Sequence, residues 1–192
     1  MNIGIDFDGV LFDSERILRS TAAIFNSNIN GNDVVYPEEL RSNVRYQWSK
    51  EIEHKFLSEN LFEIFKKAPV MIHAKYVIEE LKNAGHKLFA ITHRGSNFKE
   101  EIEITNKRLQ EENIVFDKVF YGVSNKLELC QKLNIDIMID DLYDTIEKIS
   151  NAGIKCFYYR DLVLKFCNNP YVTEVRTWGD IYVECKKLGL IK

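Results

Sequence analysis

The sequence predicts an α/β protein with a doubly wound parallel sheet and a small helical cap inserted after the first strand. Three observations lead to this prediction. After Pro69, helix-like and strand-like segments alternate, which indicates crossover connections and a mostly parallel sheet. The strand-like segments are apolar almost throughout, as is typical of strands buried on both faces. Before Pro69, residues 14–70 interrupt the alternation with helix-like segments that have no obvious strand between them.

The first strand lies at the very start of the chain. In GIDFDGV, the apolar Ile3, Ile5 and Phe7 lead into two aspartates, Asp6 and Asp8, and a glycine follows. A carboxylate is costly to bury without a partner or a metal. A buried strand that ends in paired acids therefore either caps a turn or builds a site.

The segment after this strand is predicted to be a helical cap. Residues 15–28 and 36–68 both have helix-like patterns. We therefore expect a core domain formed by residues 1–13 and 71–192, with residues 14–70 as the cap.

The rest of the chain supplies the remaining helices and strands. Ala74, Val77, Ile78 and Leu81 fall on one helical face, and Gly85 is suited to end that helix. Similar reasoning places helices at 73–85, 97–113, 125–134 and 142–153. Strands are predicted at 86–92, 117–122, 135–140 and 154–159.

Composition limits the class of protein. A length of 192 residues suggests one domain with an insertion. The net charge of −3 gives no general attraction to nucleic acid or to an anionic membrane. No leader-like segment and no apolar run of the ~18 residues that a membrane span needs is present. The four cysteines read as core residues of a reducing compartment. We expect a cytoplasmic protein with no polynucleotide or membrane partner; its oligomeric state is not predicted.

Chemically active side chains follow several of the predicted strands. In a doubly wound sheet, ligands bind beyond the carboxyl ends of the strands. Each side chain alone has an ordinary explanation as a turn, cap or surface residue. Their coincidence at one edge favours a site. The residues are Asp6, Asp8, Thr92, Lys126, Asp140 and Asp141.

This set of side chains suits phosphoryl transfer. Two facing acid clusters bind a hard divalent cation, most naturally Mg²⁺. A metal and a lysine together neutralise a phosphoryl group, and a threonine hydroxyl can donate to one of its oxygens. One carboxylate is then free to attack phosphorus, while a second transfers protons.

Four segments, in chain order, carry a resemblance to a known family. They are DFDGV at 6–10, ITHR at 91–94, Lys126, and IDD at 139–141. In this order and in a βα context, they resemble the haloacid-dehalogenase-like phosphatase superfamily. The helical segment also lies where the C1 caps of that superfamily are inserted.

The resemblance implies roles for the matching residues. Asp6 would be the nucleophile and Asp8 the general acid and base, since an acid two residues after the nucleophile is the phosphatase or phosphotransferase form. Thr92 would bind a phosphoryl oxygen, and Lys126 would hold the nucleophile and the phosphate.

The resemblance also implies a Mg²⁺ site. Asp6 and the backbone carbonyl of Asp8 would bind the ion together with the acidic pair. Within that pair, Asp141 aligns with the direct ligand and Asp140 with the residue that supports it. Asp144 would be a further supporting acid.

Finer features resemble the 5′(3′)-deoxyribonucleotidase-like branch, including bacterial proteins described as nucleotidases. These features are the short cap, the segment 117–136 and RTWGDIY at 176–182. The characterised deoxyribonucleotidases have Thr-Ser-Pro where this chain has Thr-His-Arg at 92–94, which leaves the substrate less defined. A nucleoside monophosphate is the expected substrate, and a deoxyribonucleotide in particular.

Candidate substrate contacts follow from this expectation. Seven aromatic residues lie in and beside the cap, and most aromatics of this kind pack in small cores. Trp48 is the preferred partner for a base because indole has the largest face. The full set of candidates is Thr92, His93, Arg94, Lys126, Phe12 and Trp48.

Other functions remain open at this stage. The nearest alternative is a phosphatase or phosphomutase of another small phosphometabolite, such as a sugar phosphate. A non-catalytic phosphate-binding or regulatory protein on the same fold is a different class. Receiver domains use similar residues, but their acid pair precedes the phosphorylated aspartate, whereas here the pair comes last.

Overall fold

The computed structural model of the protein describes residues 1–162 and 165–192. Its sheet has six strands, all parallel to their neighbours. In chain order the strands are β1 (Asn2–Ile5), β2 (Lys87–Ile91), β3 (Lys118–Phe120), β4 (Ile137–Asp140), β5 (Lys155–Tyr159) and β6 (Val172–Val175). In space the order is β3-β2-β1-β4-β5-β6. The predicted doubly wound parallel sheet is therefore confirmed.

Eight helices accompany the sheet in the described residues. Three lie between β1 and β2 and precede the helix that leads into β2; they are α1 (Ser14–Asn28), α2 (Ser42–Arg45) and α3 (Lys50–Lys67). The other five are α4 (Ala74–Asn83), α5 (Glu100–Glu111), α6 (Lys126–Lys132), α7 (Tyr143–Asn151) and α8 (Trp178–Lys187). Among the described helices, none combines the length and apolar character needed to cross a bilayer.

Both faces of the sheet are covered by apolar packing. Side chains of α4, α5 and α8 form one buried cluster, and side chains of α6 and α7 form another. Successive residues of a strand point to opposite faces, so Ile137 and Ile139 enter the first cluster while Met138 enters the second. This burial on both sides explains the continuous apolar character of the strand sequences.

The three helices between β1 and α4, hereafter the helical insert (residues 14–67), have an apolar cluster of their own. Its buried members are Ala22, Tyr46, Phe56, Leu61, Ile64 and Phe65. The 36–68 segment has a helix-like pattern throughout, but it contains two helices rather than one. Gln47 has a φ of +52°, and the Ser49 side chain accepts a hydrogen bond from the Ile52 N–H at 3.4 Å, so α3 begins as a separately capped helix. The division into two domains stays a prediction.

The C-terminal strand and helix were not assigned from the sequence. The strand β6 is a short edge strand, and α8 begins with a reciprocal capping box between Thr177 and Asp180. The fully buried Trp178 donates from Nε1 to the Val10 carbonyl at 2.8 Å. This bond fixes the loop after β1 against α8.

Candidate active site

The candidate site lies where the strand order reverses. The central strands β1 and β4 are neighbours, and the chain leaves them toward β2 and β5 on opposite sides. Asp6 directly follows β1, and its backbone N–H still donates to the Ile139 carbonyl at 3.0 Å. Asp140 ends β4, and Asp141 follows it. The two acid segments therefore meet at the switch point, the place where open α/β sheets bind ligands.

The loop after β1 is tight and depends on a glycine. The Phe7 carbonyl accepts the backbone N–H groups of Leu11 at 2.9 Å and of Phe12 at 2.8 Å. Gly9 has a φ of +71°, and a Cβ atom there would lie 2.0 Å from Oδ2 of Asp141. Only glycine meets both requirements, so Gly9 lets the Asp141 carboxylate approach the loop that carries Asp6.

Lys126 links the two acid segments. Its Nζ lies 2.9 Å from Oδ2 of Asp6 and 2.7 Å from Oδ2 of Asp140. The other oxygen of Asp140, Oδ1, accepts the Leu142 N–H at 2.9 Å. Lys126 is placed there because Asn125 caps α6 and makes the lysine its first residue. Both carboxylate oxygens of Asp140 therefore accept hydrogen bonds, and the side chain is fully buried.

The same segments fit a divalent cation. Asp6, Asp140 and Asp141 are all buried and bring carboxylate oxygens within 4.8 Å of one another. In the described part of the chain, no lysine or arginine lies within salt-bridge distance of Asp141. Three carboxylates with one cationic partner leave excess negative charge in a buried place. Hard cations such as Mg²⁺ take oxygen ligands of this kind.

The pKa values report this excess charge. Burial, with repulsion from Asp140 and Asp8, raises the pKa of Asp6 to about 7 despite the opposing effect of Lys126. Burial, followed by the charges of Glu15, Asp140 and Asp6, raises the pKa of Asp141 well above its ordinary value. In the metal-free protein, burial and mutual repulsion therefore favour the protonated forms of these two carboxyl groups.

Glu15 is a member of the site that the sequence reasoning missed. It lies in the first turn of α1 and lines the same cavity as Asp6 and Asp141. Burial and the charge of Asp8 raise the pKa of Glu15 to about 8. A glutamate in a first helical turn has an ordinary explanation in the helix dipole. The available signal was its position directly after the loop that carries the two aspartates.

Asp8 has a different environment from Asp6. Arg94 donates to it from Nε to Oδ2 at 2.9 Å and from Nη2 to Oδ1 at 2.6 Å. The Ser14 hydroxyl donates to Oδ1 at 2.5 Å. Burial opposes ionisation, but the charge and hydrogen bonds of Arg94 outweigh it and lower the pKa of Asp8. The two aspartates thus have pKa values shifted in opposite directions, as expected for groups with different roles.

Thr92 and His93 extend the site along the neighbouring strand. Thr92 follows β2 and is buried, and its Oγ1 accepts the Arg94 N–H at 3.2 Å. Its hydroxyl proton is left to donate elsewhere. His93 is exposed, with Nδ1 3.4 Å from the Val123 carbonyl. Both residues line the cavity above the aspartates.

A cavity of about 540 Å³ lies between the helical insert and the ends of the strands, a size suited to a small molecule. Its base holds Asp6, Asp8, Asp141, Thr92 and Lys126. The insert also lines the cavity. Its apolar lining side chains are Leu18, Leu40, Trp48, Phe56, Leu57, Leu61 and Phe65, and its polar ones are Glu15, Arg41, Ser42, Asn43 and Glu53.

The structure places three other predicted residues apart from the reacting groups. Phe12 is fully buried, with its ring against Phe7 and beneath Arg94, so it supports the site from behind. Trp48 is half-buried and lines the cavity, but the Tyr46 ring stacks on the Trp48 ring, with their centroids 5.4 Å apart. Asp144 is half-exposed, and its Oδ2 lies 3.5 Å from Nη2 of Arg41 on the insert.

Comparisons with known proteins give a consistent result at the level of structure. No protein-family model matches the sequence. No curated protein matches it. Several solved structures are similar to the chain over nearly its whole length.

A haloacid-dehalogenase-like hydrolase from Xanthomonas campestris has a TM-score of 0.66 at 13% identity, over 98% of this chain and 95% of that one. A HAD-family hydrolase from Deinococcus radiodurans, whose structure contains phosphate and sodium, has a TM-score of 0.65 at 11% identity, over 100% and 97%. A candidate beta-phosphoglucomutase from Thermotoga maritima has a TM-score of 0.63 at 18% identity, over 97% and 99%. At these identities the likeness establishes the fold.

Proposed function

We propose that this chain, which has the haloacid-dehalogenase-like α/β fold, is a Mg²⁺-dependent phosphomonoester hydrolase that forms an aspartyl-phosphate on Asp6. One observation carries the proposal: at the base of a cavity, the Asp6 carboxylate lies 2.9 Å from the Lys126 ammonium group and within 4.8 Å of the Asp141 carboxylate. The Deinococcus structure supports it, because that protein holds phosphate together with a cation.

The residues of the acid cluster fit the proposed ion. Asp6, Asp141 and the backbone carbonyl of Asp8 would hold Mg²⁺, with Asp140 supporting the site through Lys126. Mg²⁺ would supply positive charge that neutralises the phosphoryl oxygens and the nucleophile. Glu15 adds a further carboxylate beside Asp141.

In the first proposed step, a carboxylate oxygen of Asp6 attacks phosphorus. Lys126 and the Thr92 hydroxyl donate to phosphoryl oxygens, whose charge must be stabilised during transfer. The P–O bond to the leaving group breaks, and the protonated form of Asp8, which its lowered pKa makes the minor form, supplies the proton that the leaving oxygen needs. The products are an aspartyl-phosphate and the free alcohol.

In the second step, water replaces Asp6 on phosphorus. Asp8, now ionised, accepts a proton from the water as its oxygen bonds to phosphorus. The bond between phosphorus and Asp6 breaks, which regenerates the Asp6 carboxylate and releases inorganic phosphate. The ion pair with Arg94 favours the ionised form of Asp8 that this step requires.

Mg²⁺ should stabilise the protein more at high pH than at low pH. The raised carboxyl pKa values, about 7 for Asp6 and about 8 for Glu15, mean that the folded metal-free protein holds these protons more tightly than the unfolded chain. That stabilisation is complete below the unfolded pKa and disappears as pH rises through the folded pKa. Mg²⁺ must displace these protons, so its effect should grow over the same interval.

Thermal unfolding with Mg²⁺ and with a chelator measures this linkage. At about pH 8.5 and Mg²⁺ near 100 times its dissociation constant, we expect a rise in Tm of about 5–10 °C. At about pH 5.5 the rise should be much smaller. An equal rise at both pH values would contradict a metal site built from these acids.

The two acids of the pair should differ in their effect on Mg²⁺ affinity. Among residues 1–162 and 165–192, no lysine or arginine pairs with Asp141, whereas Asp140 is bonded to Lys126 and to the Leu142 N–H. We expect Asp140→Ala to weaken Mg²⁺ binding by about 10–100-fold, as for other residues that orient ligands. Asp141→Ala removes a direct ligand and should weaken it more.

The Mg²⁺ concentration that gives half-maximal hydrolysis, and the Mg²⁺-dependent rise in Tm, measure this difference. Asp33→Asn, on the surface of the insert, is the matched control and should behave as the unchanged protein. A greater Mg²⁺ requirement for Asp140→Ala than for Asp141→Ala would reverse the assignment.

For the substrate we propose a nucleoside monophosphate, with a deoxyribonucleotide as the first choice. The support is the set of apolar side chains with which the insert lines the cavity. A base can bury its faces against such side chains, and one stacking contact is worth about 1–3 kcal/mol. The exposed His93 lies on the cavity side, where it can contact the leaving group.

A sugar-phosphate phosphatase or phosphomutase is the second candidate. It is favoured by the similarity to the candidate beta-phosphoglucomutase from Thermotoga maritima, which is as strong as the similarity to the other structures. Both candidates use the same aspartates, so the substrate rather than the site separates them.

A phosphate-release screen with Mg²⁺ over mononucleotides, sugar phosphates and cofactor phosphates decides between them. We expect deoxyribonucleoside monophosphates to have the highest kcat/KM. Trp48→Ala should raise KM for them by about 5–150-fold, the equivalent of one lost stacking contact, and Trp48→Phe should raise it less. Hexose or triose phosphates that outperform every mononucleotide would establish the second candidate instead.

A further inference from the structure

Arg94 is almost completely buried although it carries a permanent charge. It has 2% exposure, and no shift away from the charged state is available to an arginine in a protein. A charge in such a place requires good partners. Its partners are Asp8, through Nε and Nη2, and the Thr105 hydroxyl, which accepts from Nη1 at 3.0 Å.

Asp8 occupies the edge of the Arg94 guanidinium that can form two parallel hydrogen bonds. Nε and Nη2 form the edge with which an arginine binds a carboxylate or a phosphate in bidentate fashion. In this structure both atoms bond to Asp8. A phosphate could not use that edge without displacing Asp8. This placement argues against the direct substrate contact that the sequence suggested for Arg94.

The pair also leaves little freedom in Asp8. An ionised carboxylate has about four acceptor positions. Oδ1 accepts from Arg94 and from the Ser14 hydroxyl, and Oδ2 accepts from Arg94. Counting donors in the part of the chain that the structure describes, one position remains, on Oδ2. Because the Asp8 side chain is still 27% exposed and lines the cavity, that remaining position is available to a reacting group.

Two aromatic rings pack close to the Arg94 guanidinium. The Phe65 ring of α3 lies over it, 3.9 Å from ring centroid to Cζ, and the Phe12 ring lies at 4.8 Å. Cation–π contacts of this kind are stronger when the partners are shielded from water. Phe65 belongs to the helical insert, while Asp8 belongs to the loop after β1. The arginine thus connects the insert to the acid–base group.

We propose that Arg94 is a positioning residue that fixes the Asp8 carboxylate with one free acceptor position toward the reacting atoms, and that Phe65 of the insert holds Arg94 in this orientation. The proposal rests on the function proposed for Asp8 above. It implies that Arg94 acts on the reaction only through Asp8, and that loosening Phe65 weakens the same step.

A double-mutant cycle tests this dependence, with p-nitrophenyl phosphate and saturating Mg²⁺. Arg94→Lys keeps the charge but loses the fork, and a misplaced acid–base group can cost about 10²-fold. We expect Arg94→Lys to lower kcat by about 10–100-fold in the unchanged protein, with little change in KM. In an Asp8→Asn background the same change should lower kcat less than about 2-fold, since coupled residues are non-additive.

Two further variants make the result specific. Phe65→Leu should lower kcat by about 3–10-fold, a smaller loss because only one of the two ring contacts to the guanidinium is removed. In the Asp8→Asn background, Phe65→Leu should cause no further loss of kcat. Arg108→Ala is the matched control. Arg108 donates to the Ala68 carbonyl at 3.1 Å at the end of the insert but does not contact Asp8, so its effect should be the same in both backgrounds.

Each outcome separates the possibilities. A rise in KM with unchanged kcat would show that Arg94 binds substrate and would overturn the proposal. Equal losses of kcat in both backgrounds would show a merely structural role and would also overturn it. If Arg94→Lys does not fold, the effects of Phe65→Leu and Asp8→Asn on kcat replace it in the test. Additive effects of these two changes would show a merely structural role and would overturn the proposal. An unchanged protein without Mg²⁺-dependent hydrolysis would instead refute the proposed function itself.

Discussion

Replacement of Asp6 by asparagine is expected to lower kcat for every phosphomonoester by about 10⁴–10⁶-fold, because the amide cannot form the covalent intermediate. Asp140 shares Lys126, but its second oxygen accepts the Leu142 N–H and its side chain is fully buried, whereas Asp6 lines the cavity. Phosphate release from p-nitrophenyl phosphate with Mg²⁺ measures the loss. Asp33→Asn, a surface change of the same chemistry, should retain full activity.

Loss of folding would not explain this result. In the metal-free protein, burial already favours the neutral form of Asp6, whose pKa is raised to about 7. A neutral asparagine of the same size should therefore leave the metal-free Tm at about pH 8 unchanged or raise it. Substantial hydrolysis by a folded Asp6→Asn variant would refute the covalent mechanism.

Replacement of Asp8 by asparagine should have the second largest effect. A positioned acid and base contributes about 10²–10⁴-fold, and asparagine keeps the size of the side chain without accepting a proton. Arg94 lowers the pKa of Asp8, so the ionised form needed to deprotonate water is available at neutral pH. Dephosphorylation should therefore slow for every substrate that passes through the aspartyl-phosphate.

The leaving group distinguishes the acid role from the base role. Steady-state and single-turnover rates with alkyl phosphates and with p-nitrophenyl phosphate separate formation of the phosphoenzyme from its hydrolysis. We expect the larger loss in formation for alkyl phosphates, whose leaving oxygen needs a proton, and a smaller loss for p-nitrophenolate. Equal losses in formation for both leaving groups would argue against the acid role.

Much of the fold could be predicted from the sequence, for physical reasons that are specific to its elements. The strands β1, β2, β4 and β5 are buried on both faces, so their apolar runs are unmistakable. The alternation with helices then requires a parallel sheet. The acids after β1 and β4 could be placed at one edge because parallel strands all end at the same edge.

Other elements could not be predicted because their determinants are distant in sequence or lie in single residues. The strand β6 is a short edge strand of four residues, with little apolar pattern to reveal it. The break before α3 depends on the positive φ of Gln47 and on the Ser49 cap, within a segment whose spacing is helical throughout.

The candidate site was predictable in its residues but less so in their relations. The spacing did not show that Arg94 would bond to Asp8 from 86 positions away, or that Glu15 would lie beside Asp141. Phe12 has the aromatic character expected of a substrate contact, yet the tight turn after β1 directs it into the core. Roles in substrate binding therefore stay predictions for the exposed His93 and for Trp48.

The central claim, that Asp6 carries the phosphoryl group, can be tested directly by chemical trapping. Borohydride reduces an aspartyl-phosphate to homoserine, and peptide mass spectrometry locates the converted residue. Protein quenched during turnover of a phosphomonoester with Mg²⁺ should contain homoserine at position 6, and protein quenched without substrate should not. Turnover with aspartate intact at position 6, or homoserine at any other position, would contradict the account.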